Sequence, residues 1–152
     1  MHASFLSRSE RGAAAVETAL TLCFVVIPLV FAAISYAYML SFRQTVSQSA
    51  AEGARAAAVA PSSTSTPDRM AAATAAVSAA MSSGTGNLTC GQNYLTCTVT
   101  TVPNCGNGSS HDCMSVTVEY PYRDHSLLPS VPGLGFLLPS SISYSAVAEV
   151  SN

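Results

Sequence analysis

The sequence predicts an α+β protein in which a long N-terminal transmembrane helix precedes a short helix and a small antiparallel sheet of about three strands. Three observations predict this class: an uncharged apolar run near the N-terminus, a second helical segment with start and stop signals, and three later segments in which polar and apolar residues alternate. A chain of 152 residues has room for one small domain beyond such a helix.

The apolar run predicts the membrane-spanning part of the first helix. No charged residue occurs between Glu17 and Arg43, and the segment 19–34 is almost wholly apolar. A bilayer core requires about 20 such residues in a helix, whereas the apolar core of a secretory signal peptide has about 7–15. We therefore predict a retained transmembrane span at about residues 18–42, bent slightly at Pro28, which lacks a backbone donor.

Helix formers and breakers divide the chain into three parts. Residues 1–12 form a short polar leader. The residues that follow the apolar run are rich in Ala, Gln, Ser and Glu, so the helix is expected to continue beyond the bilayer until Pro61 ends it. The predicted division is a leader at 1–12, a long helix at 13–60 and a small outer α+β domain at 61–152.

One helix and three strands are predicted within the outer domain. Thr66 is suited to cap the helix, with Pro67 at the first helical position, and the helix is expected to stop before Ser83. Polar and apolar residues then alternate in the segments predicted as strands, 96–102, 114–120 and 142–150. A domain of this size buries little apolar surface, so cross-links would help to hold it.

Four cysteines in the outer domain predict disulfides. Cys90, Cys97, Cys105 and Cys113 lie in a loop-rich stretch, and an even number of cysteines in a small domain is typical of an oxidising compartment. The outer domain is therefore expected outside the membrane and the N-terminus inside. Four cysteines allow three pairings; we favour Cys90–Cys97 with Cys105–Cys113, although the sequence does not decide among the three. The paired C-x2–4-C spacing of a structural zinc site is absent from the sequence, so no metal is predicted.

The charge balance and the motif content exclude several functions. Six Arg, no Lys and eight acidic residues give a formal net charge of -2, which offers no basic surface to a nucleic-acid backbone. The sequence has no Gly-rich phosphate loop, nucleophile elbow or metalloprotease motif, and no acid, base and nucleophile converge in it. We therefore predict no enzymatic activity, no cofactor and no nucleic-acid partner.

The segment before the apolar run is the most informative part of the sequence. Gly12 is followed by four small or apolar residues and then by Glu17, after which the apolar run begins. A carboxylate in a membrane helix costs about 2.5–3.5 kcal/mol at the bilayer centre and less near the interface, so Glu17 requires an explanation. One explanation is an acid in the first helical turn, favoured by the helix dipole and still in the headgroup layer. The other is functional.

The functional explanation comes from a resemblance. Glycine, four small or apolar residues, glutamate and an apolar helix are similar to the processing site of type IV prepilin-like proteins. Together with the Ala-rich stretch 48–58, the segment 11–17 resembles the TadE-like family, the minor pilins or pseudopilins of the tight-adherence (Flp) pilus system. The C-terminal part is similar too, with a strand that ends in Tyr-Pro-Tyr, a Pro- and Leu-rich loop and a last strand that ends in Glu149.

The resemblance implies that a prepilin peptidase cleaves between Gly12 and Ala13. The new amine at Ala13 would lie one helical turn from Glu17, and could pair with it within one subunit or between neighbours, which would set the helix register during assembly. The implied partners are other pilins and pseudopilins, the prepilin peptidase, the inner-membrane assembly platform and membrane lipid. The implied location is the bacterial inner membrane, with a cytoplasmic N-terminus and a periplasmic domain, or the extracellular pilus.

Two alternatives remain beside this minor-pilin role in pilus biogenesis, adhesion or biofilm formation. An uncleaved single-pass accessory subunit of the secretion machine would retain Met1. A secreted, disulfide-linked binding domain released by signal peptidase would begin near residue 38 or beyond. The N-terminal residue of the mature chain distinguishes the three hypotheses.

Overall fold

The structure is a computed structural model that describes residues 6–61, 64–85, 87–105, 111–125, 127 and 138–150, with side chains described from Gly12 onward. Its elements are helix α1 (Leu6–Thr21), a π-helical turn (Leu22–Val26), helix α2 (Ile27–Val59), helix α3 (Thr66–Thr85) and strands β1 (Thr96–Val102), β2 (Asp112–Tyr120) and β3 (Ile142–Val150). The strands form one antiparallel sheet in the order β1-β2-β3, which confirms the predicted α+β class. The chain divides into two compact units, Met1–Tyr38 and Met39–Asn152.

The first unit consists of α1, the π-helical turn and the beginning of α2. Helix α1 begins at Leu6 and not at Ala13, where the sequence predicted it, so residues 6–12 of the predicted leader are helical. The segment 6–12 contains no proline and several good helix formers, and a helix nucleated downstream can therefore extend into it. Residues 1–5 of the predicted leader lie outside the described residues.

The π-helical turn ends at Val26, two residues before Pro28. The Ile27 amide donates to the carbonyl oxygen of Leu22, five residues earlier, which makes this turn wider than an α-helical one. Pro28 has no amide hydrogen, and in a regular α-helix its ring would collide with the carbonyl of Phe24. The sequence predicted a slight bend at Pro28; the structure has a π-helical turn at this place, a recognised way of accommodating an interrupted hydrogen-bond ladder.

The second unit begins within α2. The buried residues of this helix recur every three or four positions, which is the spacing of one helix face. They are Met39, Phe42, Val46, Ser49, Ala50, Gly53, Ala54 and Ala57. This face belongs to one core with the buried side chains of α3 and β2. The compact unit thus starts inside the span predicted at 18–42, because Met39 and Phe42 are core residues.

Ser65 caps helix α3. The amide of Asp68 donates to the Ser65 hydroxyl oxygen at 3.4 Å, and the Ser65 hydroxyl donates to the Asp68 carboxylate. Ser65 is therefore the N-cap residue, so the prediction of Thr66 as the cap was wrong by one residue; the Asp68 carboxylate holds the Ser65 hydroxyl in the capping position. The helix ends at Thr85, past the predicted stop before Ser83.

Strand β2 is the centre of the sheet and supplies much of the core. Val116 of β2 lies opposite Val99 of β1 and Ala146 of β3. Every second residue of β2 is buried, as expected for a strand with one covered face. These residues are Met114, Val116, Val118 and Tyr120. Full burial of each such side chain contributes about 1.5–3 kcal/mol to folding. β2 begins at Asp112, two residues before the predicted start.

Gly53 allows α2 to approach α3 and β2 closely. A Cβ atom added to Gly53 would lie 2.5 Å from Val77 Cγ2, 3.1 Å from Val116 Cγ1 and 3.2 Å from the Ala73 carbonyl oxygen. The carbonyl belongs to the backbone of α3 and cannot rotate away. The sequence marks Gly53 only as a weak point in a helix, whereas the packing explains why the position lacks a side chain.

Arg69 closes the end of α2. Its side chain is 5% exposed and donates hydrogen bonds to the carbonyls of Ala57, Pro61 and Thr64 at 3.2, 2.9 and 3.3 Å. The last carbonyls of a helix lack intrahelical donors and carry the negative end of the helix dipole. The guanidinium satisfies the Ala57 carbonyl and two carbonyls of the following segment, so it fixes the turn between α2 and α3.

Candidate functional site

The predicted cleavage site lies inside helix α1. Gly12 and Ala13 are both helical and exposed, and a Cβ atom added to Gly12 would meet nothing within 4 Å. The packing of the described residues therefore gives no reason for a glycine at this position. A glycine inside a helix lowers its stability by about 1 kcal/mol relative to alanine. Gly12 is thus an intrinsically weak position in helix α1.

Glu17 lies one helical turn after Ala13 on the same helix. Its side chain is exposed, and no described side chain from Gly12 onward forms an ion pair with it. Residues four apart on a helix have Cβ atoms about 5–6 Å apart. The carboxylate of Glu17 is therefore within reach of an amine at Ala13, and equally open to an amine from another subunit.

The hydroxyl groups that follow Glu17 are satisfied within the helix. Thr18 donates to the carbonyl of Ala14 and Thr21 to the carbonyl of Glu17, each at 2.9 Å. Polar groups in hydrocarbon must find their partners inside the protein, and threonine hydroxyls commonly do so by bonding four residues back. These two threonines are consequently compatible with an apolar environment.

The helix beyond Thr21 exposes an array of large apolar side chains. They are Leu22, Phe24, Val25, Val26, Ile27, Leu29, Val30, Phe31 and Ile34. Phe24 is 75% exposed, and none of the most apolar window of the helical stretch Gly12–Val59 is buried. Water solvates such an array poorly, since each side chain of this kind gains about 1.5–3 kcal/mol on leaving it. The helix is long and apolar enough to cross a membrane, and is compatible with a single-pass membrane-anchored protein.

Two disulfides lie in the second unit. Cys90 pairs with Cys97 and Cys105 with Cys113, with Cα–Cα distances of 5.4 and 5.8 Å. The first bridge joins the segment after α3 to β1. The second closes the turn between β1 and β2, where Cys113 lies opposite Val102 in the strand register. Cys97 lies near the other end of β1, so the register keeps it away from Cys113.

Each histidine side chain among the described residues has a recorded contact with one neighbouring side chain. His111 Nε2 lies 4.0 Å from Glu149 Oε1, and the His125 ring stacks on Tyr94 with a centroid separation of 3.4 Å. Across the described part of the chain, no group of three or more His, Cys, Asp or Glu residues is arranged to hold a metal ion.

Sequence analysis missed one polar groove in the second unit. Leu40, Arg43, Gln44, Ser47 and Gln48 recur at helical spacing on α2 and, with Tyr144 of β3, line a groove of about 550 Å³. The Nε atom of Arg43 is buried, and none of the described residues accepts a hydrogen bond from it. A buried N–H without an acceptor costs about 1–3 kcal/mol. The available signal was the position of Arg43 directly after the apolar run, which the sequence analysis treated only as a boundary.

Comparison with known proteins identifies the N-terminal part of the chain. The family model described as TadE-like protein matches residues 12–55. No curated protein and no solved structure matches the chain. The matched segment begins at Gly12 and includes Glu17, the exposed apolar helix and Gly53. Residues 12–55 are therefore TadE-like, as the resemblance in the sequence predicted.

Proposed function

We propose that this chain is a minor pilin or pseudopilin-like component of a tight-adherence (Flp) pilus system, acting in pilus biogenesis, adhesion or biofilm formation. One observation carries the proposal: the TadE-like match opens at Gly12, within a continuous helical stretch whose apolar side chains are exposed, and Glu17 follows within that match. The core helix of a soluble protein would bury such a face. A helix that first resides in a membrane and then packs among other helices would present it outward.

The proposed maturation step is hydrolysis of the peptide bond between Gly12 and Ala13 by a prepilin peptidase. Water adds across the bond, so that the leader departs with a carboxylate at Gly12 and the mature chain gains an amine at Ala13. Because both residues are helical, the turn around Gly12 must first unwind, and the absence of a side chain at Gly12 reduces the free energy of that step.

The new amine gives Glu17 its role. The exposed carboxylate pairs with the amine at Ala13, either in the same subunit or in a neighbouring one. In a low-dielectric setting the pair offsets the desolvation of both charges, and a pair between subunits defines one helix register among several. This pairing would explain why a charged residue lies at the start of the apolar run.

The proposed location is the bacterial inner membrane, with the N-terminus in the cytoplasm and the disulfide-linked unit in the periplasm. The bridges Cys90–Cys97 and Cys105–Cys113 support this orientation, since disulfides persist in oxidising compartments. The proposed partners are other pilins and pseudopilins, the prepilin peptidase, the inner-membrane assembly platform and lipid. We propose no enzymatic activity for the chain itself.

The processing step is tested with a variant at the scissile bond. Gly12→Leu adds a branched side chain at the position that must enter the peptidase cleft, and we expect the full-length chain to accumulate in the membrane fraction. Ala15→Leu, three residues away and also exposed, is the matched control and should still be cleaved. Intact-mass measurement of both variants shows which of them is cleaved. Normal cleavage of Gly12→Leu would argue against processing at this bond.

The pairing step is tested separately, after processing has been established. Glu17→Gln retains the shape of the side chain and removes its charge, and we expect normal cleavage but at least tenfold less chain in assembled complexes. Glu52→Gln is the control, because Glu52 is an exposed acid whose partner Arg55 lies 3.7 Å away in the same helix. Equal assembly of both variants would overturn the pairing.

Two roles fit the proposal, as a minor subunit within the fibre or as a component that remains in the inner membrane. The amount of this chain in sheared fibres, compared with the membrane fraction, separates them.

A further inference from the structure

The groove beside Arg43 lies in the second unit, and five of its six lining residues have polar groups. Its helical side is formed by α2 residues at helical spacing, namely Leu40, Arg43, Gln44, Ser47 and Gln48. Tyr144 of β3 forms the opposite side. The groove lining therefore presents one cation, two amides and two hydroxyl groups, and it includes no carboxylate.

The arrangement of these polar groups is suited to an anion. The Nε atom of Arg43 is buried, and no described residue accepts a hydrogen bond from it. A guanidinium offers five donors in a planar fork that matches the oxygens of a phosphate. Amide and hydroxyl donors on the same groove can complete the coordination of an anion without adding negative charge. An ordinary solvated surface arginine would keep its Nε atom in water.

The position of Arg43 in the sequence indicates which kind of anion the groove binds. Arg43 is the first charged residue after the uncharged run that ends at Phe42. An arginine at such a place meets the headgroup layer when the run spans a bilayer, and cations there are attracted to phospholipid headgroups. Leu40 lies on the same face of α2 and is 39% exposed, so an apolar surface adjoins the cation.

We propose that this groove binds the phosphodiester of a phospholipid headgroup, with Arg43 as the principal ligand and Gln44, Ser47, Gln48 and Tyr144 as supporting donors. Because the Arg43 Nε atom is closed to solvent in this structure, the side chain must turn toward the groove on binding; the phosphodiester then accepts from its N–H and holds this part of α2 at the membrane surface. The inference rests on the membrane-anchored part of the proposed function and is independent of cleavage, because Arg43 is retained whether the chain begins at Met1 or at Ala13.

The test uses the full chain, purified in a neutral detergent and freed of lipid. The probe is short-chain phosphatidylglycerol, and native mass spectrometry measures the lipid retained at each concentration. We expect saturable binding of one lipid, weakened at least tenfold by Arg43→Gln and two- to fivefold by Tyr144→Phe. Arg55→Gln removes the same charge from a 74% exposed side chain on the same helix, and should bind within twofold of the unmodified chain.

A second measurement reports on the site itself. The Arg43 Nε–H resonance, assigned by its loss in Arg43→Lys, should shift with phosphatidylglycerol and should not shift with a short-chain diacylglycerol, which has the same chains but no phosphate. Equal effects of the two lipids would overturn the proposal. A shift at equal concentrations of inorganic phosphate, or of a glutamate-rich peptide, would assign the groove to a free anion or to a protein partner and would also overturn it. Unchanged lipid binding in Arg43→Gln refutes it directly.

Discussion

Replacing Gly53 by alanine tests whether close packing of α2 against α3 holds the second unit together. Alanine would favour the helix by about 0.5–1 kcal/mol, but its Cβ atom would lie 2.5 Å from Val77 Cγ2 and 3.2 Å from the Ala73 carbonyl oxygen. Overpacking of this kind costs about 1–3 kcal/mol. We therefore expect Gly53→Ala to lower the free energy of unfolding by about 1 kcal/mol, equivalent to a melting temperature about 4 °C lower for a unit of this size.

The assay is thermal and urea unfolding of the full chain in detergent, followed by circular dichroism. Gly84→Ala is the comparison variant, because the three atoms nearest to its Cβ atom would all belong to the Thr45 side chain, the closest being Cγ2 at 2.7 Å, and none to the backbone. It should therefore lose less stability than Gly53→Ala does.

A double-mutant cycle isolates the contact itself. Val77→Ala alone removes two buried methyl groups and should cost about 2 kcal/mol, but in the Gly53→Ala background it should cost about 1 kcal/mol less, because the same change relieves the overlap. Additive effects, or a Gly53→Ala variant as stable as the unmodified chain, would refute the argument that packing selects glycine here.

The remaining predictions concern the same unit and use the same unfolding assay. Arg69→Met should lower the free energy of unfolding by about 1.5–3 kcal/mol, because three carbonyls lose a charged hydrogen-bond donor, whereas the exposed control Arg55→Met should change it by less than about 0.5 kcal/mol. Joint replacement of Cys90 and Cys97 by serine should lower the free energy of unfolding by about 2–3 kcal/mol, the loop-closure entropy for a bridge with a sequence separation of 7. Unchanged stability would show that this disulfide does not stabilise the unit. Ser65→Ala should cost about 1 kcal/mol through loss of the α3 cap, and an unchanged melting temperature would argue against a stabilising cap at this position.

The elements of this chain were predictable where a local pattern decides them. The apolar run from Thr18 to Phe42 predicts a helix by composition alone, and the alternation in 142–150 predicts β3, whose bounds the structure reproduces. Helix α2 ends at Val59, two residues before Pro61, which has no backbone N–H and whose ring does not fit inside a helix. In each of these cases the signal lies within a few residues of the feature.

The features that the sequence did not predict depend on residues distant along the chain. The lack of a side chain at Gly53 is explained by the close approach of Val77 and Val116. The cap formed by Arg69 depends on the Ala57 carbonyl, twelve residues earlier. The start of the compact unit at Met39 was not predicted for the same reason. An apolar helix residue gives the same sequence signal whether lipid or a β-sheet covers it.

The candidate site divides in the same way. Gly12, Ala13 and Glu17 form a local motif and were identified together, and the family match now covers all three. The groove at Arg43 was not identified, because Tyr144 joins it from a strand about a hundred residues later and no pattern in the sequence connects the two.

The mass of the mature chain from membranes that contain an active prepilin peptidase tests the central claim most directly. The account predicts a mass that corresponds to residues 13–152 together with release of a leader that ends at Gly12. A mature chain that retains Met1, or one that begins near residue 38, contradicts it.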